Sequence, residues 1–250
     1  MINGILVEVC CGGINDCLTA LKCGCDRIEL NSALEMGGLT PSLSVLRKVK
    51  TITDVPICCM VRPRGYGFCY TDEEYEIMKQ DARLLIENGA DGIVFGFLHE
   101  DGTIDVERTR EFVSLIKPGQ AVFHKAFDSC VDMNAAILQL IECGVDRILT
   151  SGGASYPDID RGFERLRRYN AEYGDRITIL PGGGVRRHNV VEILKETGCR
   201  QIHMTAKELL LDPSTMHADE NPDEKNYSYV AVSEKNLTEI MNEIKKAELN

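Results

Sequence analysis

A short pattern that ends a helix and begins a strand recurs four times along this chain. Each copy starts with glycine, which suits the left-handed backbone position that stops a helix, and runs into apolar residues that suit a buried strand. The copies occupy residues 24–28, 89–93, 144–148 and 198–202. They are offset by 65, 55 and 54 residues, and each interval holds about two strand-and-helix units. The repeat predicts a parallel sheet wound through right-handed crossovers.

Completing the repeat predicts eight strands, each followed by a helix. The predicted strands are 5–9, 27–30, 57–61, 93–95, 122–125, 147–150, 178–180 and 201–204, and helical patterns include 72–87, 106–116, 133–143 and 159–172. A last helix at 234–249 follows a polar insertion at 212–229. This is the order of a TIM (β/α)8 barrel, which we expect to span residues 1–250 as one domain. An open doubly wound sheet is the alternative, but the first strand lacks its Gly-rich dinucleotide turn.

Composition excludes several classes of protein. The 250 residues carry a net charge of −11, which disfavours binding to nucleic acid or to anionic membranes. No apolar run reaches the roughly 18 residues of a membrane span, and the N-terminus lacks a signal pattern, so we expect a cytoplasmic protein. The eleven cysteines are scattered without a CxxC pair, which predicts free thiols and disfavours a zinc ribbon.

Polar residues occupy strand positions that should face the barrel interior. Read at period 2, the inward set is Glu8, Cys10, Glu29, Asn31, Cys58, Met60, Arg62, His124, Thr150, His203 and Thr205. Burying such groups is costly unless they are paired. One interpretation is a structural network of Glu8 or Glu29 with Arg62, and His124 alone could be a satisfied core histidine. The other is a functional pocket at the carboxyl ends of the strands.

The loops after the strands suggest an anionic ligand. Arg62 and Arg64 follow the third strand and could hold a carboxylate or phosphate between them. Ser151 and Gly152 follow the sixth strand and Gly183 follows the seventh, where glycine lets backbone N–H groups approach an anion. A solvated basic loop and ordinary tight turns are the alternatives.

Two kinds of metal site are compatible with the same strands. Cysteines near the early strands, with Met60 beside them, would suit Cu(I), although cysteine is also a common buried hydrophobe. A mixed set of nitrogen and oxygen ligands would instead suit Zn²⁺ or Mn²⁺. That second set is Glu8, Glu29, His124 and His203.

Several segments together resemble the CutC copper homeostasis family, in the right order from about Gly4 to Thr205. They are Glu8-Val9-Cys10-Cys11, Asp26-Arg27-Ile28-Glu29-Leu30, Gly37-Gly38-Leu39-Thr40-Pro41-Ser42, Arg62-Pro63-Arg64-Gly65, Phe68-Cys69-Tyr70, His124-Lys125-Ala126-Phe127-Asp128 and Leu149-Thr150-Ser151-Gly152. The resemblance implies a cytoplasmic, oligomeric TIM-barrel protein that binds Cu(I) through cysteines. Lys125 stands where arginine is usual, and Asn31 where many members carry cysteine.

Two functional hypotheses follow. The first is a copper-binding homeostasis protein whose ligands come from Cys10, Cys11, Cys58, Cys59 and Cys69. The second is a lyase, isomerase or hydrolase that acts on a small anionic substrate. There, His124 with Asp128 or a glutamate is the acid or base, Glu8 or Glu29 is the opposite carboxylate, and Lys125 faces the helices. The residues predicted to hold the substrate are Arg62, Arg64, Asn31, Ser151, Gly152, Gly183 and His203.

Overall fold

Strands and helices alternate through the residues that this computed structural model describes, which are 1–154, 157–219 and 223–249. The main strands are β1 Leu6–Cys11, β2 Arg27–Leu30, β3 Ile57–Met60, β4 Gly92–Phe95, β5 Gln120–Phe123, β6 Arg147–Thr150, β7 Thr178–Pro181 and β8 Gln201–Met204. The helices are α1 Ile14–Lys22, α2 Leu43–Lys50, α3 Asp72–Glu87, α4 Val106–Ile116, α5 Met133–Glu142, α6 Phe163–Tyr173, α7 Val190–Thr197 and α8 Glu234–Lys246. A hairpin of β9 Lys207–Leu211 and β10 Ser228–Val232 precedes α8.

The eight main strands form a nearly closed parallel barrel. Their order in the sheet is β7-β6-β5-β4-β3-β2-β1-β8, so β8 pairs with β1 and lies next to β7. The strands follow chain order around the sheet without the reversal that defines a doubly wound fold. The TIM-barrel prediction is confirmed.

The residues of the repeat explain how each strand is set in place. The four glycines take positive φ values of 67° to 94°, as the pattern predicts: Gly24, Gly89, Gly144 and Gly198. The aspartate two residues after the first glycine, Asp26, accepts a hydrogen bond from the Val7 N–H of β1 at 2.9 Å. Asp91 and Asp146 make the equivalent bonds to β3 and β5, at 2.8 and 2.7 Å. All four copies therefore stop helices, and the three that carry the aspartate also anchor the preceding strand, β1, β3 or β5.

The apolar core is divided by the sheet. Most buried apolar side chains lie between the strands and the surrounding helices, as expected for a TIM barrel. Inside the barrel a small separate cluster is formed by Cys58, Met60, Val94 and Val122. Buried charged side chains occupy other strand positions, so the barrel contains a polar network. Its members on β1, β2, β6 and β8 are Glu8, Arg27, Glu29, Arg147 and His203.

Four segments differ from the sequence-based expectation. The predicted helix 159–172 begins with a 3₁₀ turn and becomes α6 at Phe163, and the predicted helix 234–249 ends at Lys246. The prediction of a fifth strand through residue 125 is wrong, because β5 ends at Phe123 and Lys125–Ser129 forms a 3₁₀ turn. The insertion at 212–229 contains the 3₁₀ turns Pro213–Ala218 and Glu224–Tyr227 and enters β10, while residues 220–222 lie outside the described residues. Among the described helices, none is both long and apolar enough to cross a bilayer.

Candidate functional site

Glu8 lies at the centre of a buried ionic network in the barrel. The register of β1 with its two neighbours places Glu8 opposite both Arg27 and His203. Arg27 Nε donates to Glu8 Oε2, and His203 Nδ1 lies 2.7 Å from Glu8 Oε1. Burial opposes ionisation of Glu8, but the charges of Arg27 and His203 hold its pKa well below the usual value. Glu8 is therefore a carboxylate, and its arginine partner is Arg27 rather than Arg62.

A second layer, one step along the strands, brings together three ligands of the kind that bind metals. The register places Cys10 of β1 opposite Glu29 of β2. The Cys10 sulfur, a Glu29 carboxylate oxygen and a His203 ring nitrogen all lie within 4.8 Å of one another, and all three residues are buried. Glu29 Oε2 has no N–H or O–H donor among the described residues. A buried carboxylate oxygen left in this way is chemically suited to a cation.

The neighbours of these three side chains orient them. Asn31 Nδ2 donates to Glu29 Oε1 at 2.9 Å and lies 3.4 Å from Cys10 Sγ. His203 Nδ1 contacts Glu8 and also lies 4.0 Å from Glu29 Oε2. Glu8 therefore orients the imidazole, as outer-shell carboxylates do for histidines at metal sites. The set therefore has both ligands and supporting residues.

The protonation of the three ligands depends on this environment. Burial and the nearby Glu29 raise the pKa of the Cys10 thiol well above its usual value. Burial also raises the pKa of Glu29. Burial by itself favours neutral His203, but the carboxylates of Glu29 and Glu8 outweigh it and raise the pKa of this imidazole. A metal ion would have to displace protons from this layer in order to bind.

The metal-ligand layer opens into a pocket of about 520 Å³, within the size range of small-molecule sites. Its lining includes Cys10, Glu29 and His203, and also Arg62, His124 and Lys125. The turn Gly183–Val185 after β7 and the cations Arg186 and Lys207 complete the positively charged side. In a chain with a net charge of −11, this concentration of cations is a local feature of the pocket.

His124 does not form the predicted pair with Asp128. The Ala126 N–H donates to His124 Nδ1 at 3.1 Å, so the neutral ring carries its proton on Nε2. Burial, with a smaller contribution from the Arg62 charge, lowers the pKa of His124 to about 3. His124 Nε2 is buried and has no hydrogen-bond partner in the described part of the chain. His124 is thus a neutral hydrogen-bond donor in the pocket wall.

Asp128 instead organises the loop after β6. It accepts hydrogen bonds from the Thr150 hydroxyl, from the N–H groups of Ser151 and Gly153 and from the Ser151 hydroxyl. Lys125 Nζ also lies 3.1 Å from Asp128 Oδ2. Ser151 and Gly152 therefore lie behind Lys125 and outside the pocket lining. Leu149, not Thr150, lines the pocket, so the inward assignment of Thr150 is wrong.

The two arginines after β3 do not act together on the pocket. Arg62 lines it, but its guanidinium donates to the carbonyl oxygens of Met36, Gly38 and Tyr66. Arg64 lies outside the lining and pairs with Glu74, with an Nε–Oε1 distance of 2.6 Å. The expected arginine clamp is therefore not assembled.

The five cysteines of the predicted ligand pool are also separated. Cys10 lies in the pocket lining, whereas Cys58 is buried in the barrel, 3.5 Å from Arg147 Nη2. Cys11 and Cys59 pack in the outer core, because adjacent residues of a strand face opposite sides. Cys69 is exposed on a loop.

Sequence reasoning missed four charged residues, Arg27, Arg147, Arg186 and Lys207, and misplaced a fifth, Lys125. Arg27 and Arg147 follow the aspartate in two copies of the repeat, and period 2 from Glu29 places Arg27 on the inward face. Arg186 lies just beyond the glycine turn and had no periodic signal. The prediction that Lys125 faces the helices is wrong, because the chain leaves the strand before Lys125 and turns its side chain toward the pocket.

Comparison with known proteins gives the same family as the sequence motifs. The model of the CutC family matches residues 5–208. A family protein CutC of Treponema denticola is 44% identical over 214 residues, covering 86% of each chain. The human copper homeostasis protein cutC homolog is 42% identical over 205 residues, covering 82% of this chain and 74% of the human one.

Solved structures agree with the fold. The crystal structure of the putative copper homeostasis protein CutC from Streptococcus agalactiae gives a TM-score of 0.76 at 34% identity, covering 80% of this chain and 98% of that one. Phosphoribosyl anthranilate isomerase from Thermotoga maritima gives a TM-score of 0.58 at 11% identity, covering 97% and 100% of the two chains. At that identity the isomerase is similar in fold alone.

Proposed function

The chain belongs to the CutC family, and from that premise we propose that it binds Cu(I) in copper homeostasis, at the Cys10, Glu29 and His203 layer. The convergence of these three side chains within 4.8 Å is the observation that carries the proposal. The names of the relatives supply copper as the first metal to test.

The donor set fits a soft metal ion in part. Thiolate and imidazole are both good ligands for Cu(I), and the Met60 side chain lies in the same pocket lining. Glu29 is a harder ligand, and a Cys, His and Glu set also suits Zn²⁺. When bound, Cu(I) would offset one of the two negative charges of the Cys10 thiolate and the Glu29 carboxylate, whereas Zn²⁺ would offset both. From the predicted pool of five cysteines, the proposal retains Cys10, since the other four do not reach this layer.

The test is a Cu(I) competition titration with a chelator of known affinity, on protein purified without oxygen. We expect one Cu(I) per chain in the unaltered protein and loss of tight binding in Cys10→Ser. Cys11→Ser is the matched control, because Cys11 is adjacent but faces the outer core. Unchanged uptake in Cys10→Ser would reject this ligand set. Tight Zn²⁺ without Cu(I) binding would reject copper while retaining the site.

Location and assembly complete the proposal. All eleven cysteines are free thiols in the structure, which suits a reducing compartment such as the cytoplasm. We also expect a homo-oligomer, because the family resemblance implies one. Fractionation of cells and light scattering of the purified protein test these two expectations, and a secreted or monomeric protein would contradict them.

An enzyme that acts on a small anionic substrate is the second candidate function. The pocket favours it, because Arg62, Lys125, Arg186 and Lys207 line the pocket with Glu29 as the carboxylate among them. A screen of phosphorylated and carboxylated metabolites for turnover tests this role. Turnover that survives Lys125→Met would argue against an anionic substrate.

A further inference from the structure

Lys125 presents an ammonium group at the rim of the pocket. Its Nζ lies 3.1 Å from Asp128 Oδ2 and 3.2 Å from Ser151 Oγ. An ammonium has three N–H donors, so these two contacts leave one for a ligand. Asp128 already accepts hydrogen bonds from Thr150, Ser151 and Gly153, so its negative charge is shared among several donors.

A glycine turn packs directly against this ammonium group. Gly183 has a φ of +86°, and a Cβ added there would lie 2.6 Å from Lys125 Nζ. The turn Gly183–Val185 lines the same pocket, and among the described residues its three N–H groups have no internal acceptor. Consecutive free N–H groups beside an ammonium are suited to the oxygens of an anion.

His124 supplies a second and independent feature. It is 4% exposed, and its Nε2 is buried without a partner although the residue lines the pocket. The bond from Ala126 N–H to Nδ1 makes Nε2 the donor. This neutral N–H donor brings no positive charge of its own, so a carbonyl or hydroxyl oxygen is sufficient to satisfy it. Because His124 and Lys125 line the same pocket, one small molecule can reach both.

We propose that this side of the pocket binds a small metabolite with two functional groups. Its phosphate or carboxylate lies against Lys125 and the Gly183–Val185 turn, and its carbonyl or hydroxyl oxygen accepts the hydrogen bond of His124 Nε2–H. This proposal names the substrate class for the second candidate function. The role of the molecule as a substrate rests on that function, whereas its binding does not. Binding is tested without turnover and without metal.

The experiment is calorimetric titration of chelator-treated protein with four probes. Dihydroxyacetone phosphate carries both groups with a phosphate, and pyruvate carries both with a carboxylate. Inorganic phosphate carries the anion alone, and dihydroxyacetone carries the carbonyl alone. We expect one of the first two to bind at least tenfold more tightly than either single-group probe. Their order identifies phosphate or carboxylate as the anion, and failure of all four to bind would overturn the proposal.

Lys125→Met tests the anion contact. We expect it to weaken the tighter two-group probe at least tenfold. Lys117→Met is the matched control, because Lys117 also lies 3.1 Å from an aspartate, Asp146, but outside the pocket lining. Equal binding by Lys125→Met, or an equal loss in Lys117→Met, would overturn the assignment.

Two substitutions of His124 test the oxygen contact. His124→Asn keeps an acceptor for Ala126 N–H but removes the Nε2 donor, so we expect it to lose the preference for two-group probes while keeping phosphate binding. His124→Gln restores a donor near the Nε2 position and should recover part of the preference. A preference that persists in His124→Asn would overturn this half of the proposal. Circular dichroism of each variant confirms that the comparison is between folded proteins.

Discussion

The Asn31 side-chain amide lies 3.4 Å from the Cys10 sulfur, where a second metal ligand would have to stand. The same amide donates to Glu29 Oε1 at 2.9 Å. This chain therefore has a hydrogen-bond donor beside Cys10, the thiol in the described pocket lining. The residue at position 31 determines how strongly the proposed site prefers a soft metal ion such as Cu(I).

We predict that Asn31→Cys raises Cu(I) affinity at least tenfold, because a second thiolate favours this soft ion. Chelator competition measures the change. Ser32→Cys is the control, since the Ser32 hydroxyl donates to the Thr40 carbonyl oxygen and Ser32 lies outside the pocket lining. An equal gain in both variants would show that the added thiol acts elsewhere on the protein.

The buried pair of Arg27 and Glu8 gives a stability prediction. Arg27→Met removes the guanidinium that pairs with the buried negative charge of Glu8. We therefore expect the free energy of unfolding to fall by about 3–5 kcal/mol. Urea denaturation measures the loss. Lys22→Met breaks an exposed pair with Glu234 and should leave the urea midpoint unchanged. A small effect for Arg27→Met would mean that His203 alone compensates Glu8.

His124 predicts a specific dependence of stability on pH. Its pKa falls from 6.5 to about 3 on folding. Between pH 6.5 and pH 3, His124 is therefore protonated in the unfolded chain but neutral in the folded protein. Stability is therefore lost as the pH decreases below 6.5, by about 2 kcal/mol between pH 7 and pH 5. We expect His124→Gln to lack this part of the loss in urea denaturation at the two pH values. His203 has a raised pKa and acts in the opposite direction, but equally in both proteins. Equal losses in both proteins would contradict the neutral state of His124.

A pair of glycine substitutions separates backbone strain from the contact with Lys125. Gly183→Ala and Gly24→Ala both force alanine into positive φ, of 86° and 83°, and each should cost about 1–2 kcal/mol. A Cβ at Gly24 meets nothing within 4 Å, whereas one at Gly183 displaces the Lys125 ammonium. We therefore expect similar losses of stability but weakened anion binding only in Gly183→Ala. Weakening in Gly24→Ala as well would point to a global effect.

The alternation of strands and helices could be predicted because it is a local property of the chain. Positive-φ glycine followed by a β-branched run recurs at barrel spacing, and the helices 72–87 and 106–116 have the predicted bounds. Period 2 also placed Glu8, Cys10 and Glu29 on one face, since alternation along a strand needs no tertiary information. The same alternation places Arg27, two residues before Glu29, on that face.

The sequence could not predict which ion pairs and hydrogen bonds the inward-facing polar residues form with one another. Glu8 pairs with Arg27 and His203 because the register joins β1 to both the second and the last strand, a contact between residues 195 apart. The two arginines after β3 were expected to act together on a ligand. Instead, the Arg62 guanidinium donates to backbone carbonyl oxygens, and Arg64 pairs with Glu74. Competition among nearby acceptors decides such pairings, and it depends on three-dimensional packing.

The sequence by itself determined the barrel and the residues that its strands turn inward, because helix stops, strand runs and alternation are encoded over a few residues. The tertiary structure alone decided the site. Closure of β8 onto β1 brought His203 to Cys10 and Glu29, and the end of β5 at Phe123 turned Lys125 into the pocket. Both outcomes depend on where strands meet and end, which long-range hydrogen bonds and packing set.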